Sequence, residues 1–282
     1  MAIAGTALNA LRVTRTGALS NWKGLAYPHT AFGGTHAALL TKYGITGPPA
    51  VFEGNKGFMD SISGEFSIDW KNEDLERVTN TIIKKYNAEI HSQSSIEAMI
   101  ALKVKHDFTA DNVEKIDIEI FDVAFNIIGG GEEGDKTIVR TKEEADHSLQ
   151  YMVSAALLDG QVMPEQYEQD RLEADDIQSL LQKVKVTSKQ EYSNRFPDKM
   201  PTKLTVHLKN GVTHSIEKND YEGFHTRPMS WETIIQKFEG LAKSYTTDKL
   251  REKIIDLVRN FEKHSVSELM KLLRDVKLEA AN

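Results

Sequence analysis

Three stretches hold residue types that could move protons or hold carboxylates. In Ser20-Asn21-Trp22-Lys23-Gly24 a lysine stands beside a tryptophan and a glycine, shortly before Pro28. Proline fits the first turn of a helix, where its missing N–H would be unpaired anyway. A helix is therefore predicted to open at Pro28, run through Gly33-Gly34-Thr35-His36 and stop at Gly44. Free N–H groups at such a start attract anions, so a lysine just upstream could help hold a carboxylate. A surface lysine in a loop is the other reading of these residues.

The second stretch is Glu89-Ile90-His91-Ser92-Gln93. A histidine near a glutamate suits proton transfer, because imidazole titrates near neutrality. A polar helix start capped by Ser92 explains the same spacing equally well. The third is His147-Ser148, which could face a cleft or simply water. His29 and His36 lie two helical turns apart and share a face, but helix-borne metal ligands are usually three or four residues apart. No metal is expected. The chain lacks a Gly-x-Ser-x-Gly elbow, so serine catalysis has no anchor. Gly129-Gly130-Gly131-Glu132-Glu133-Gly134 lacks the Gly-Lys-Ser/Thr ending of a phosphate loop, and its glutamates would repel phosphate. Tyr221 to Pro228 reads as a turn that is either a binding edge or a hinge.

The elements that must position these residues sit in 282 residues, enough for one large or two smaller domains. An apolar content of 40% can build a core. The absence of any run of eighteen apolar residues predicts no membrane span, and the first residues do not read as a signal peptide. Net charge is −7 with the signs interspersed, so no nucleic-acid footprint is predicted and an anionic substrate would need local cations. There are no cysteines, which excludes disulfides, a cysteine nucleophile and a cysteine-ligated iron–sulfur cluster.

Ile3, Leu8, Leu11 and Val13 recur at helical spacing with no cap before them. Helical spacing also runs from Asn72 to Lys85, and again through Ile96, Met99, Ile100 and Val104. Ile116, Ile118 and Ile120 alternate as a strand. Thr141 and Glu144 form a capping box, predicting a helix through Leu158, and a further helix is predicted over 175–184. Leu204 to Ile216 reads as a hairpin about Asn210-Gly211. From Ser230 the chain is helical, with Leu250, Ile254, Leu257, Val258 and Phe261 on one stripe and a last helix capped by Ser265 and Glu268. Segregated runs of helix, mixed structure and helix suggest an α+β layout rather than a wound βαβ sheet.

Several segments together resemble the MmgE/PrpD family. They are Asn21-Trp22-Lys23-Gly24 with Ala31 to Ala38, Gly44-Ile45-Thr46-Gly47-Pro48 with Phe52 to Phe58, Ala88-Glu89-Ile90-His91-Ser92-Gln93, Ala145 to Leu149 with Leu157 to Gly160, and Arg227-Pro228-Met229-Ser230 with Lys237-Phe238. The resemblance runs in order along nearly the whole chain and looks strongest to the 2-methylcitrate dehydratase branch. It implies a discontinuous helical domain, incomplete at its N-terminus, carrying an α/β lid. The expected limits are 1–110 for the helical part, 111–222 for the lid and 223–282 for helices returning to the helical domain.

The resemblance further implies a cofactor-independent hydro-lyase acting on a tricarboxylate in the methylcitrate route of propionate breakdown, cytoplasmic and dimeric or otherwise homo-oligomeric. A non-catalytic assembly subunit, or a decarboxylase or epimerase of the same family, is the alternative. The resemblance places Lys23 on the family's active-site lysine; His91 is the local candidate for acid–base catalysis, and Glu89, Ser92, Gln93 and His147 are the expected substrate contacts, without a metal. Glu89 stands where the decarboxylase branch has a histidine, and Phe125 near where it has a tyrosine, which argues against decarboxylation. Family members extend further at the N-terminus. The chain is thus expected to be inactive or nearly so alone, or to pair with a chain supplying that part.

Overall fold

The computed structural model describes residues 1–15 and 20–277. The last five residues of the segment 223–282 therefore lie outside the described residues. Four strands form one sheet in the order β2-β1-β3-β4, with β1 Val113–Ile120, β2 Val184–Ser188, β3 Thr202–Leu208 and β4 Thr213–Lys218. The alternating isoleucines of β1 are all fully buried. A register shift between Val113 and Lys115 brings Val113 inward as well, although it is an odd number of residues from Ile116. The hairpin forms as predicted, β3 antiparallel to β4, with Gly211 at φ +85° in the turn.

β2 pairs parallel to β1, matching Ile116 with Val184 and Ile120 with Ser188. This corrects one expectation. The helix predicted over 175–184 ends at Leu181 and gives way to a strand. One β–helix–β crossover does exist, inside an otherwise mixed α+β arrangement. Val184 and Val186 are both buried, and pairing with a strand nearly seventy residues earlier outweighs the helical pattern next to them.

Two helices cover the sheet. Gln93–His106 packs on β3 and β4, Leu149–Asp159 packs beside β2, and the two touch each other. The long core cluster they complete runs from Tyr86 to Phe224.

Elsewhere the sequence reading needs correction. The first helix is only Ala2–Ala7. The helix expected over 72–85 is absent, and a single 3-10 turn, Arg77–Asn80, stands in its place. Polar side chains bond the local backbone instead: Glu76 N–H donates to Asp74, and the Thr79 hydroxyl donates to the Glu76 carbonyl. Three C-terminal helices, Trp231–Ala242, Asp248–Arg259 and Val266–Leu273, start at the side-chain caps Ser230, Thr247 and Ser265. Leu250, Ile254 and Leu257 are buried as the stripe requires, but Val258 and Phe261 are 40% exposed. No helix among the described residues is long and apolar enough to cross a membrane.

Candidate active site

Lys23 sits in the first turn of a helix, Trp22–Lys42, that begins six residues before Pro28. Proline does not open this helix but lies inside it. The cost is one bond, since Pro28 has no N–H to give the Gly24 carbonyl four residues earlier. The turn before it is held by Lys23 N–H on the Ser20 carbonyl and Gly24 N–H on the Asn21 carbonyl. Lys23 is therefore a helical residue with its own amide satisfied, not a loop residue upstream of free N–H groups.

The helix predicted from Thr141 through Leu158 is broken in the middle. The capping box forms, but the helix it starts is only Lys142–Ala145. Ser148 is extended, and its hydroxyl accepts from Tyr151 N–H, which starts a new helix at Leu149. Asp146 and His147 occupy the break, so their side chains are free of helical register. Asp146 accepts from His147 Nδ1. This leaves Nε2 as the open nitrogen of the ring. Lys23 Nζ reaches it at 2.6 Å and lies 3.7 Å from Asp146 Oδ1.

Glu89 and His91 make the second pair. The spacing of two residues lets one carboxylate meet both the main chain and the ring of the same histidine. Glu89 Oε2 accepts from His91 N–H at 2.7 Å, and Oε1 stands 2.9 Å from His91 Nδ1. The latter contact is an ion-pair distance out of line for a hydrogen bond. The imidazole stands edge-on to Phe121 and Phe196, which stack on each other with centroids 4.4 Å apart.

The segment carrying Glu89 is pinned from behind. Gln93 is fully buried, and its amide accepts from Tyr86 N–H and donates to the Tyr86 and Ala88 carbonyls. Ser92 is also fully buried and donates to the Glu89 carbonyl. Neither lines the cavity. The expected substrate contacts at Ser92 and Gln93 are thus replaced by structural ones, because their polar atoms are committed to the main chain. Further back, Ile83 N–H donates to the Gly223 carbonyl at 2.8 Å. Gly223 has φ +113°, and a Cβ there would lie 2.1 Å from the Ile83 carbonyl oxygen, so only glycine allows this approach. In the turn around it Tyr221 is buried, and Arg227 bridges Glu97 and Asp220.

Lys23, Glu89, His91, Asp146 and His147 all line one cavity of about 850 Å³. Lys84, Lys142, Asn87 and Glu133 join them, with Ile82, Ile90, Val123 and Ile127 as the apolar wall. Sequence reasoning missed Asp146 and the two lysines. Asp146 was adjacent to a singled-out histidine, which was a usable signal; Lys84 and Lys142 carried none. His29 and His36 are exposed and outside the cavity.

Burial lowers the Lys23 ammonium pKa below its ordinary value, and Asp146 and Glu89 offset this only in part. Burial pushes Glu89 up, but the bonds and charge of His91, with a contribution from His147, hold it below the ordinary range. The two pairs are therefore close enough to feel each other. Tyr167 and Tyr221 behind them are pushed up, mainly by burial, Tyr221 to about 12, so both keep their protons.

This geometry holds two histidine–carboxylate pairs, a lysine against one of them and further cations, which suits proton removal beside a carboxylate. Comparison with known proteins agrees in kind. The MmgE/PrpD C-terminal domain matches residues 86–263, and the MmgE/PrpD N-terminal domain matches residues 1–71. The chain belongs to the MmgE/PrpD family. Cis-aconitate decarboxylase of Mus musculus is 25% identical over 87% of this chain and 50% of its own length. 2-Methylcitrate dehydratase of Salmonella typhimurium is 27% identical over 78% of this chain and 47% of its own length. The enzyme of that name from Escherichia coli O157:H7 is 30% identical over 52% of this chain. The chain thus spans about half the length of the curated relatives it matches most extensively.

Proposed function

We propose that this chain carries the active site of a cofactor-independent hydro-lyase acting on a 2-methylcitrate-type tricarboxylate, in the methylcitrate route of propionate breakdown. The observation that carries the reading is Lys23 meeting the Asp146–His147 pair across one cavity from Glu89–His91. Dehydration breaks a C–H bond beside a carboxylate and a C–O bond at the neighbouring carbon, forming a double bond and water. His91 takes the C–H proton, and Glu89 stabilises the imidazolium that results. Lys23, whose ammonium is weakened by burial, gives a proton to the departing hydroxyl and is reprotonated through His147. Lys84 and Lys142 hold substrate carboxylates, which the net negative charge of the chain would otherwise repel. A cytoplasmic location and self-assembly, or assembly with a second chain, belong to the same proposal.

The test is the ultraviolet absorbance of the conjugated product formed from 2-methylcitrate. The chain assembled with a second chain is expected to raise it, the chain alone to raise it little or not at all, and Lys23→Ala to leave the assembly flat. A folded assembly that produces no absorbance would sink the dehydratase reading. The decarboxylase reading draws support from the mouse relative, which aligns along most of the chain. Release of carbon dioxide from cis-aconitate, without dehydration of 2-methylcitrate, would favour it instead.

A further inference from the structure

Of the three carboxylates lining the cavity, Glu89 and Asp146 each meet a histidine, whereas Glu133 meets a lysine just outside it. Glu133 Oε2 stands 4.0 Å from Lys136 Nζ, the outer limit of an ion pair. Both side chains are mostly buried, 20% and 13% exposed. Two partly desolvated charges held this far apart gain little for the water they have lost. Burial lowers the Lys136 ammonium, Glu133 and Glu144 raise it in part, and Lys23 lowers it further, so Lys136 stands in the field of the catalytic lysine.

The main chain around this pair is fixed. Phe125–Gly129 is a helical turn that ends at Gly130, φ +109°. Gly131 N–H donates to the Phe125 carbonyl at 3.1 Å, and Glu133 N–H donates to the Asn126 carbonyl at 3.0 Å. A Cβ on Gly131 would lie 2.4 Å from Asn126 Oδ1. At the other end, the Lys136 carbonyl accepts from Ser148 Oγ at 2.6 Å, the residue that caps the helix after His147. Only the side chains of Glu133 and Lys136 have to turn for the pair to exchange partners. The glycine-rich loop thus ends in a carboxylate that lines the cavity.

We propose that Lys136 is a further carboxylate-binding residue of this site and that Glu133 is its internal stand-in, displaced when a ligand with three carboxylates enters. This deepens the polycarboxylate reading above and rests on it. A third carboxylate reaches Lys136 in place of Glu133, and Glu133 turns toward water. A dicarboxylate, already held by Lys84 and Lys142, gains nothing from the exchange. The pair therefore selects for the number of carboxylates on the ligand.

Calorimetric titration with tricarballylate, which has three carboxylates and no hydroxyl to lose, tests this against glutarate, which has two. Glu133→Gln is expected to tighten tricarballylate about tenfold and Lys136→Met to weaken it about tenfold, while Lys136→Arg retains binding. Glutarate should change by less than about twofold in each variant. Circular dichroism verifies folding, and the arginine variant separates loss of charge from loss of structure. Tricarballylate binding that Lys23→Met abolishes but that neither Glu133→Gln nor Lys136→Met changes would overturn this inference alone. No tricarballylate binding by the wild type would overturn the polycarboxylate reading, and this inference with it.

Discussion

Residues 86–224 and residues 1–83 line the same cavity, yet they are packed very differently. The first stretch supplies the whole of the large core cluster and holds both histidine–carboxylate pairs. The second contributes buried apolar side chains only at Ala26, Ala37 and Val51 among the described residues. Its helix Trp22–Lys42 leaves Trp22, Tyr27, Phe32 and Leu39 exposed. Lys23 nonetheless reaches His147 from that helix. The pairs are thus positioned by a packed interior, while the lysine is positioned largely by the groups it acts with. Precision at this site comes from one side.

This contrast is open to breakage by substitution. Ile118→Ala, in the fully buried β1, is expected to cost about 3 kcal/mol in urea unfolding, as large-to-small core changes do. Ser148→Ala removes the cap that starts the helix after His147, together with its bond to Lys136. It should cost about 1 kcal/mol and shift the His147 ring resonances. A smaller effect is expected from acid. Glu89 is held below its ordinary value of 4.5 in the folded state, because His91 outweighs burial. Its contribution is therefore present above that value and lost as pH falls through the lower folded value. The stability gap between wild type and Glu89→Gln should shrink as pH falls below 4.5; a gap that widened there would contradict the sign. Phe32→Ala, at 73% exposure, should change stability by less than about 0.5 kcal/mol. A cost of about 2 kcal/mol there would mean that this face is covered in solution and that the contrast fails.

What was readable in the sequence was local. The capping boxes at Thr141 and Ser265, the Asn210-Gly211 turn and the β1 alternation each depend on residues a few positions apart, and all of them form. β2 was hidden because its justification is a partner strand far back in the chain. The break at Asp146-His147 was hidden because Ser148 caps from within a stretch that still reads as helix. Glu89 and His91 were legible as a spacing, and Lys23 through the family resemblance. Their meeting place was not, because it requires the Trp22–Lys42 helix to cross to a loop more than a hundred residues later. Ser92 and Gln93 show the opposite limit, since polar residues beside a candidate site look the same in sequence whether they face ligand or main chain.

The central claim is that Glu89–His91 and Asp146–His147 serve one ligand site with Lys23. Titrating tricarballylate into the protein while following the His91 and His147 ring proton signals by NMR tests it most directly, with His91→Asn and His147→Asn assigning each signal. The account predicts that both rings shift along one saturation curve with a single Kd, and that Lys23→Met removes both responses. Movement of one ring without the other, or two different Kd values, would contradict it.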